Sequence, residues 1–69
     1  MDEMVVYNNF KAMISLLDIG DYNAIGNTCI ERVATNRYVV SNNGFSTTAT
    51  SLAEAASLAT ADWFNDLEP

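Results

Sequence analysis

The sequence predicts a small α+β domain in which two long helices pack on a short antiparallel sheet. Apolar residues recur at helical spacing over residues 4–18 and again from Leu52 onward. Between these stretches, β-branched and aromatic residues cluster, and an Asn-Asn-Gly turn joins two of the clusters. A chain of 69 residues has room for one domain with a modest core, so residues 1–69 are expected to fold as a single unit. The expected order is an N-terminal helix, a short second helix, a three-stranded antiparallel meander and a C-terminal helix packed on the sheet.

The first predicted helix covers residues 4–18. Asp2 and Glu3 precede or begin it, where the helix dipole favours negative charge. Gly20 suits the left-handed residue that follows a helix C-terminus. The apolar face of this helix consists of Val6, Phe10, Met13, Ile14 and Leu17.

The segment after this helix is harder to assign. Residues 21–27 resemble a cap followed by one or two helical turns, with Asp21 as the N-cap and Gly26-Asn27 as the stop. Residues 28–35 contain β-branched residues in loose alternation, which favours a strand. A longer second helix stays open as an alternative, because a stripe at helical spacing also runs through Tyr22, Ile25, Cys29 and Val33.

The second half of the chain has clearer signals. Residues 37–41 and 45–49 are predicted strands, and residues 42–44 between them tolerate the positive φ angles of a hairpin turn. Ser51 followed by Glu54 is a capping-box pattern, so the last helix is expected to begin at Leu52. Its core stripe should include Trp63, whereas Phe64 should be exposed. The other members of the stripe are Leu52, Ala55, Ala56 and Ala59.

The composition argues against an enzyme and against a cofactor. There is no histidine, so the commonest general base and metal ligand at neutral pH is missing. The one cysteine, Cys29, cannot form an internal disulfide, which favours a reducing cytosolic setting, and it is expected to be a small buried hydrophobe. Asp18 and Asp21 lack the spacing of a calcium loop, so no metal site is predicted.

Charge and hydropathy limit the partners. Nine acidic and three basic residues give a net charge of −6, which disfavours nucleic acid or an anionic membrane and favours a basic partner. The bases Lys11, Arg32 and Arg37 are not clustered, and the two arginines are expected to pair with Glu31 or Asp21. No apolar run approaches the ~20 residues of a membrane span, and the acidic N-terminus is unlike a signal peptide. A solubilising surface is the alternative interpretation of the charge.

The C-terminal helix concentrates the acidic residues. Glu54, Asp62 and Asp66 are predicted to lie along one flank of its apolar stripe. Asp62, Asp66 and Glu68 crowd a helix C-terminus, which prefers cations and so loses ~0.3–1 kcal/mol for each misplaced charge. This loss indicates selection for negative potential. As an exposed i,i+4 pair, Asp62 and Asp66 are expected to keep ordinary pKa values.

A small, acidic, histidine-free α+β chain ending in Ser51-Leu-Ala-Glu-Ala-Ala-Ser-Leu-Ala-Thr-Ala-Asp-Trp-Phe resembles the anti-CRISPR proteins of phages and mobile elements, in particular inhibitors of type I systems such as type I-C. The resemblance implies an inhibitor in the cytoplasm of a bacterial host. Its acidic face would mimic nucleic acid, cover the basic channel of a Cascade-type surveillance complex and block target DNA. The implied contact residues are Glu54, Asp62, Asp66 and Glu68, with Asp18, Asp21 and Glu31 as second choices.

The alternative function is a structural or oligomerisation module. The alanine-rich face of residues 52–63 permits close helix–helix approach, and a small core gains stability from a partner subunit. On either interpretation the chain is expected to be a monomer or a weak dimer.

Overall fold

The computed structural model describes residues 2–67 and contains two helices and four strands. Their order is α1 (Glu3–Ser15), β1 (Tyr22–Ile25), β2 (Thr28–Ala34), β3 (Arg37–Asn42), β4 (Phe45–Ala49) and α2 (Leu52–Leu67). The strands form one antiparallel sheet in the order β1-β2-β3-β4, and a two-residue turn joins each to the next. The predicted class, the helix at each end and the antiparallel meander are confirmed. The prediction of three strands and a short second helix is wrong.

The segment predicted as the short helix is strand β1. Residues Tyr22–Ile25 pair with β2, and Gly26-Asn27 is the turn between them. Gly26 has φ +60°, which glycine adopts without a Cβ penalty, so Gly-Asn acts here as a hairpin turn and not as a helix stop. Pairing with β2 gives this short segment a ladder of hydrogen bonds that an isolated helical turn could not supply. The strand prediction for residues 28–35 is confirmed by β2.

Helix α1 is shorter than predicted. Its N-cap is Asp2, whose Oδ1 accepts a hydrogen bond from the Met4 N–H at 2.9 Å. It ends at Ser15 instead of residue 18, with a tight last turn in which the Leu16 N–H donates to the Met13 carbonyl at 3.2 Å. Gly20 does have a positive φ, but its N–H donates to the Arg32 carbonyl at 2.7 Å. It therefore leads the chain into the sheet and does not end the helix.

Helix α2 begins at Leu52, as predicted, and the bond of the capping box from Glu54 to Ser51 is formed, while the Glu54 carboxylate accepts from Thr50 instead of the N-cap Ser51. The Glu54 N–H donates to Ser51 Oγ at 3.1 Å, and the Thr50 N–H donates to Glu54 Oε1 at 3.1 Å. Two N–H groups at the start of the helix thus gain side-chain acceptors.

The core lies between the two helices and one face of the sheet. Helix α2 contacts β2, β3 and β4, and α1 packs against α2. Ala55, Ala56 and Ala59 are completely buried, so the small-residue stripe of α2 is covered within the chain. The other buried hydrophobic residues are Val6, Phe10, Ile14, Leu17, Ile30, Tyr38, Val40 and Ala49.

The two aromatic residues near the end of α2 both contribute to packing. Trp63 is half-buried and meets the Phe10 ring edge to face, with centroids 6.4 Å apart and planes at 70°. Phe64 is also half-buried and packs against the core, so the prediction of an exposed Phe64 is wrong. The strongly exposed aromatic residues are Phe45 and Tyr22, both on edge strands.

Candidate functional site

The acidic C-terminal half of α2 lies against the β3–β4 turn. Asp66 Oδ2 accepts a hydrogen bond from Asn42 Nδ2 at 3.0 Å, and Asp66 Oδ1 accepts one from Asn43 Nδ2 at 3.5 Å. Asn42 Nδ2 also donates to Thr28 Oγ1 at 3.0 Å. These amides hold the Asp66 carboxylate in one orientation while it stays exposed to solvent.

Asp62, one turn earlier on α2, is less exposed than Asp66. Partial burial, and secondly the charge of Asp66, raise the pKa of the Asp62 carboxyl above the usual value of 3.8. The expectation of an ordinary pKa at Asp62 is therefore wrong. The two carboxylates are close enough to repel each other, and this repulsion is the second cause of the raised pKa of Asp62.

Glu54 is separate from this pair. Its carboxylate belongs to the cap at the opposite end of α2, and on the helix it points about 120° away from Asp66. The predicted single acidic row is thus divided between the two ends of α2. Glu68, the remaining first-choice residue, lies outside the described residues.

The second-choice acids lie elsewhere in the fold. Asp18 and Asp21 share the turn between α1 and β1, where the Asp18 N–H donates to Asp21 Oδ2 at 3.1 Å and the Asp21 N–H donates to the Asp18 carbonyl at 2.9 Å. Asp21 therefore stabilises this turn and is not a helix N-cap. Glu31 is exposed in β2 opposite Tyr22, on the sheet face that the helices do not cover. Along β2, Glu31 is about 10 Å from Thr28, the residue that is linked to Asp66 through Asn42.

Arg32 and Lys11 contact groups other than these carboxylates. Arg32 Nη1 donates to the Leu17 carbonyl at 2.9 Å, Arg32 Nη2 donates to the Thr35 carbonyl at 3.1 Å, and the guanidinium lies 5.9 Å from the Tyr38 ring centre. Lys11 Nζ lies 5.9 Å from the Tyr7 ring centre. Arg32 therefore donates to main-chain carbonyls and not to Glu31 or Asp21, so the pairing predicted for it is wrong. The pairing predicted for Arg37 stays a prediction.

Two shallow clefts flank the contact between α1 and α2. The larger, about 500 Å³, lies beside Asp2, Glu3, Met4, Tyr7, Ser57, Thr60 and Ala61. The smaller, about 250 Å³, is lined by Val6, Asn9, Phe10, Ile25 and Trp63.

Three further features of the described part of the chain concern a metal site, a membrane-spanning helix and a reactive thiol. Residues 2–67 contain no group of three or more Cys, Asp or Glu side chains arranged to hold a metal ion. No helix among them is long and apolar enough to cross a membrane. Cys29 is a free thiol on the uncovered sheet face and is only half-buried, less than the sequence suggested.

The sequence identified the acidic residues of α2 but missed the amides that position one of them. Asn42 and Asn43 were assigned only to the turn, because a link to a residue twenty-four positions away leaves no local signal. No family model matches the chain, and no curated protein or solved structure is significantly similar to it. The resemblance to anti-CRISPR proteins therefore stays a prediction.

Proposed function

We propose that this chain is a binding protein whose acidic surface docks on a basic, nucleic-acid-binding surface of a partner. Following the resemblance of the sequence, the proposed partner is a Cascade-type CRISPR surveillance complex, and the proposed effect is a block of target DNA binding. The observation that supports this proposal most directly is the exposed Asp66 carboxylate, which Asn42 and Asn43 hold in one orientation at the end of α2 in a chain of net charge −6. This carboxylate is available to a basic partner.

The geometry around Asp66 favours binding through the end of α2. A side chain that is ordered on binding costs about 0.5–1.5 kcal/mol, and Asn42 and Asn43 have already fixed Asp66. Asp62 adds a second carboxylate, whose pKa is raised by partial burial and secondly by the charge of Asp66, and a nearby cation would offset both effects. A basic partner surface would therefore gain more from this pair than from two unconstrained surface acids.

The test is binding of the full chain to the purified complex over a range of salt concentrations. In the double variant Asp62→Asn, Asp66→Asn, affinity should fall about tenfold or more, with most of the loss in the association rate at low salt. Binding of the unaltered chain should weaken as salt rises, because the Debye length shrinks.

A charge-matched control separates the site from the overall charge. The variant Asp18→Asn, Glu31→Gln removes two charges from other surfaces and should lose less than threefold in affinity. Equal losses in both variants would show that only net charge matters. Unchanged affinity in the α2 variant at every salt concentration would refute the proposed site.

The alternative, oligomerisation through the small-residue face of α2, has less support. Ala55, Ala56 and Ala59 are fully covered by α1 and the sheet of the same chain. That face is not free for a second helix unless the domain opens.

A further inference from the structure

The outer side of β4 is an open edge of the sheet. β4 is the last strand in the order β1-β2-β3-β4, so within residues 2–67 it pairs with β3 alone. Asn42 and Phe45 flank the two-residue turn and are the hydrogen-bonded pair next to it. Because such pairs alternate along an antiparallel ladder, the backbone N–H and C=O groups of Ser46 and Thr48 point away from β3. We call this side the β4 edge.

Within the described residues, the β4 edge has no charged residue, proline or bulge to prevent edge-to-edge association. Edge strands are commonly protected by charged side chains, proline, bulges or a covering segment. No charged residue and no proline occurs between Arg37 and Glu54, and the register of β4 with β3 shows no bulge. The strand also carries Phe45, which is 81 % exposed.

The opposite edge of the same sheet is protected. The Ala24 N–H, which points outward from β1, donates a hydrogen bond to Asn23 Oδ1 at 2.8 Å. Asp21 places a charge immediately before β1. At β1 one outward N–H thus has a side-chain acceptor and a charge adjoins the strand, whereas β4 has no charged residue beside it.

We propose that the β4 edge pairs antiparallel with the β4 edge of a second copy of this chain, so that one sheet runs through both copies. A two-fold axis at Thr47 would bring the outward groups of Ser46 and Thr48 in each copy together, giving about four interchain hydrogen bonds. In this register Phe45 faces the partner's Ala49, and Thr47 faces its own counterpart. The contact goes beyond the proposed function, because it uses none of the acidic residues.

For a second copy of this chain, charge favours contact at the β4 edge over contact at other parts of the surface. Two chains of net charge −6 repel each other, and the uncharged stretch between Arg37 and Glu54 is where they can approach without bringing carboxylates to the interface. Salt should therefore strengthen the dimer, whereas it should weaken binding to a basic partner. A single pair of strands buries less than a standard interface of roughly 1,600 Å², so the dimer is expected to be weak.

The experiment is sedimentation of the full chain from micromolar to millimolar concentration at low and high salt. In Thr48→Pro the proline replaces an outward N–H, which leaves the β3 ladder intact. Two interchain hydrogen bonds are lost, and dimerisation should weaken about ten- to a hundredfold. Thr47→Glu, which places like charges directly opposite each other, should weaken it as well. Circular dichroism establishes that each variant is folded.

Two matched variants complete the design. Ala24→Pro makes the same backbone change at the β1 edge, and Thr35→Glu adds the same charge at the exposed β2–β3 turn; both should leave dimerisation within about twofold of the unaltered chain. A chain that is monomeric at every concentration and salt would overturn the proposal. So would a dimer that survives Thr48→Pro and Thr47→Glu, or one that Ala24→Pro abolishes. None of these outcomes bears on binding to a basic partner, which is measured separately.

Discussion

The sheet contains two hairpins that look alike in outline but are held in different ways. β1–β2 and β3–β4 each have a two-residue turn, and each supplies one edge of the sheet. The β3–β4 hairpin is anchored, because Ala49 is buried under α2 and the turn amides bind Asp66. Every residue of β1, in contrast, is exposed. Regular strand geometry therefore says little about how firmly a hairpin is held; side-chain contacts with the helices decide it.

The two edges of the sheet show the reverse difference: the strand that is packed less firmly has the better-protected edge. In the weakly packed β1 one outward N–H, that of Ala24, donates to Asn23 Oδ1, whereas the outward groups of the well-packed β4 are open. A loosely held strand with an open edge would be prone to aggregation, and β1 avoids this. An open edge on an anchored strand can instead support one defined contact.

The largest effect is expected from β2, which pairs with β1 in the first hairpin and with β3 of the second. Ile30 in β2 is completely buried between the sheet and the helices, so Ile30→Ala should lower the free energy of unfolding by about 3 kcal/mol, through lost transfer energy and a cavity. Urea denaturation measures the loss. Val33→Ala, at a half-exposed position of the same strand, should cost less than about 1 kcal/mol. A similar cost for both would mean that Ile30 is not central to the core.

A smaller effect is expected from the asparagines that distinguish the hairpins. Asn42→Ala removes the donor to Asp66 and to Thr28, a residue only 1 % exposed, and should cost about 1–2 kcal/mol. Asn23→Ala removes one exposed contact and should cost about 0.5 kcal/mol or less. Equal losses in urea denaturation would contradict the anchoring of the β3–β4 hairpin.

The same contrast explains which parts of the fold could be predicted from the sequence. The β3–β4 hairpin was predicted because Asn43-Gly44 lies between runs of β-branched and aromatic residues, and both turn residues do have positive φ. β1 was missed because Tyr-Asn-Ala-Ile has no alternation of buried and exposed positions. The pairing of β1 with β2 depends on residues outside β1, so the pattern of its four residues cannot predict it.

The candidate site was predictable only in part, for a related reason. The number and position of acids on α2 follow from the sequence, and so does the capping box at Glu54. The fixed orientation of Asp66 and the raised pKa of Asp62 depend on the packing of α2 against the sheet and the β3–β4 turn. The helical wheel also assigned Phe64 to solvent, although the core extends around that side of α2.

The turn glycines give a third comparison of the hairpins. Gly44 and Gly26 have φ +87° and +60°, so alanine at either position should cost about 1 kcal/mol in urea denaturation. A Cβ at Gly26 would lie 3.9 Å from Trp63 Cζ3, whereas one at Gly44 would meet nothing within 4 Å. Tryptophan fluorescence should therefore shift in Gly26→Ala and not in Gly44→Ala. A shift in Gly44→Ala would indicate that the hairpins are coupled through the sheet.

The smallest effect is expected at Asp62, on the helix end that anchors the β3–β4 hairpin. Its folded-state pKa lies above the usual 3.8, so the folded protein binds this proton more tightly than the unfolded chain does. The corresponding stability is present below pH 3.8 and is lost as the pH rises through the raised pKa. Asp62→Asn cannot ionise, and at neutral pH it should gain about 0.5 kcal/mol, because the side chain no longer has a partly buried charge and no longer repels Asp66 or the helix C-terminus.

Urea denaturation of Asp62→Asn across the acidic to neutral range tests this cause. The gain should be present at neutral pH and vanish towards pH 3.8, where Asp62 itself becomes protonated. Glu31→Gln removes one charge from an exposed strand position and controls for net charge, so at neutral pH it should gain less stability than Asp62→Asn. A gain at Asp62→Asn that persists at acidic pH would point to better packing of the amide and not to charge. Combining the substitution with Asp66→Asn should shrink the gain, because the repelling carboxylate is then already gone while the desolvation of Asp62 remains.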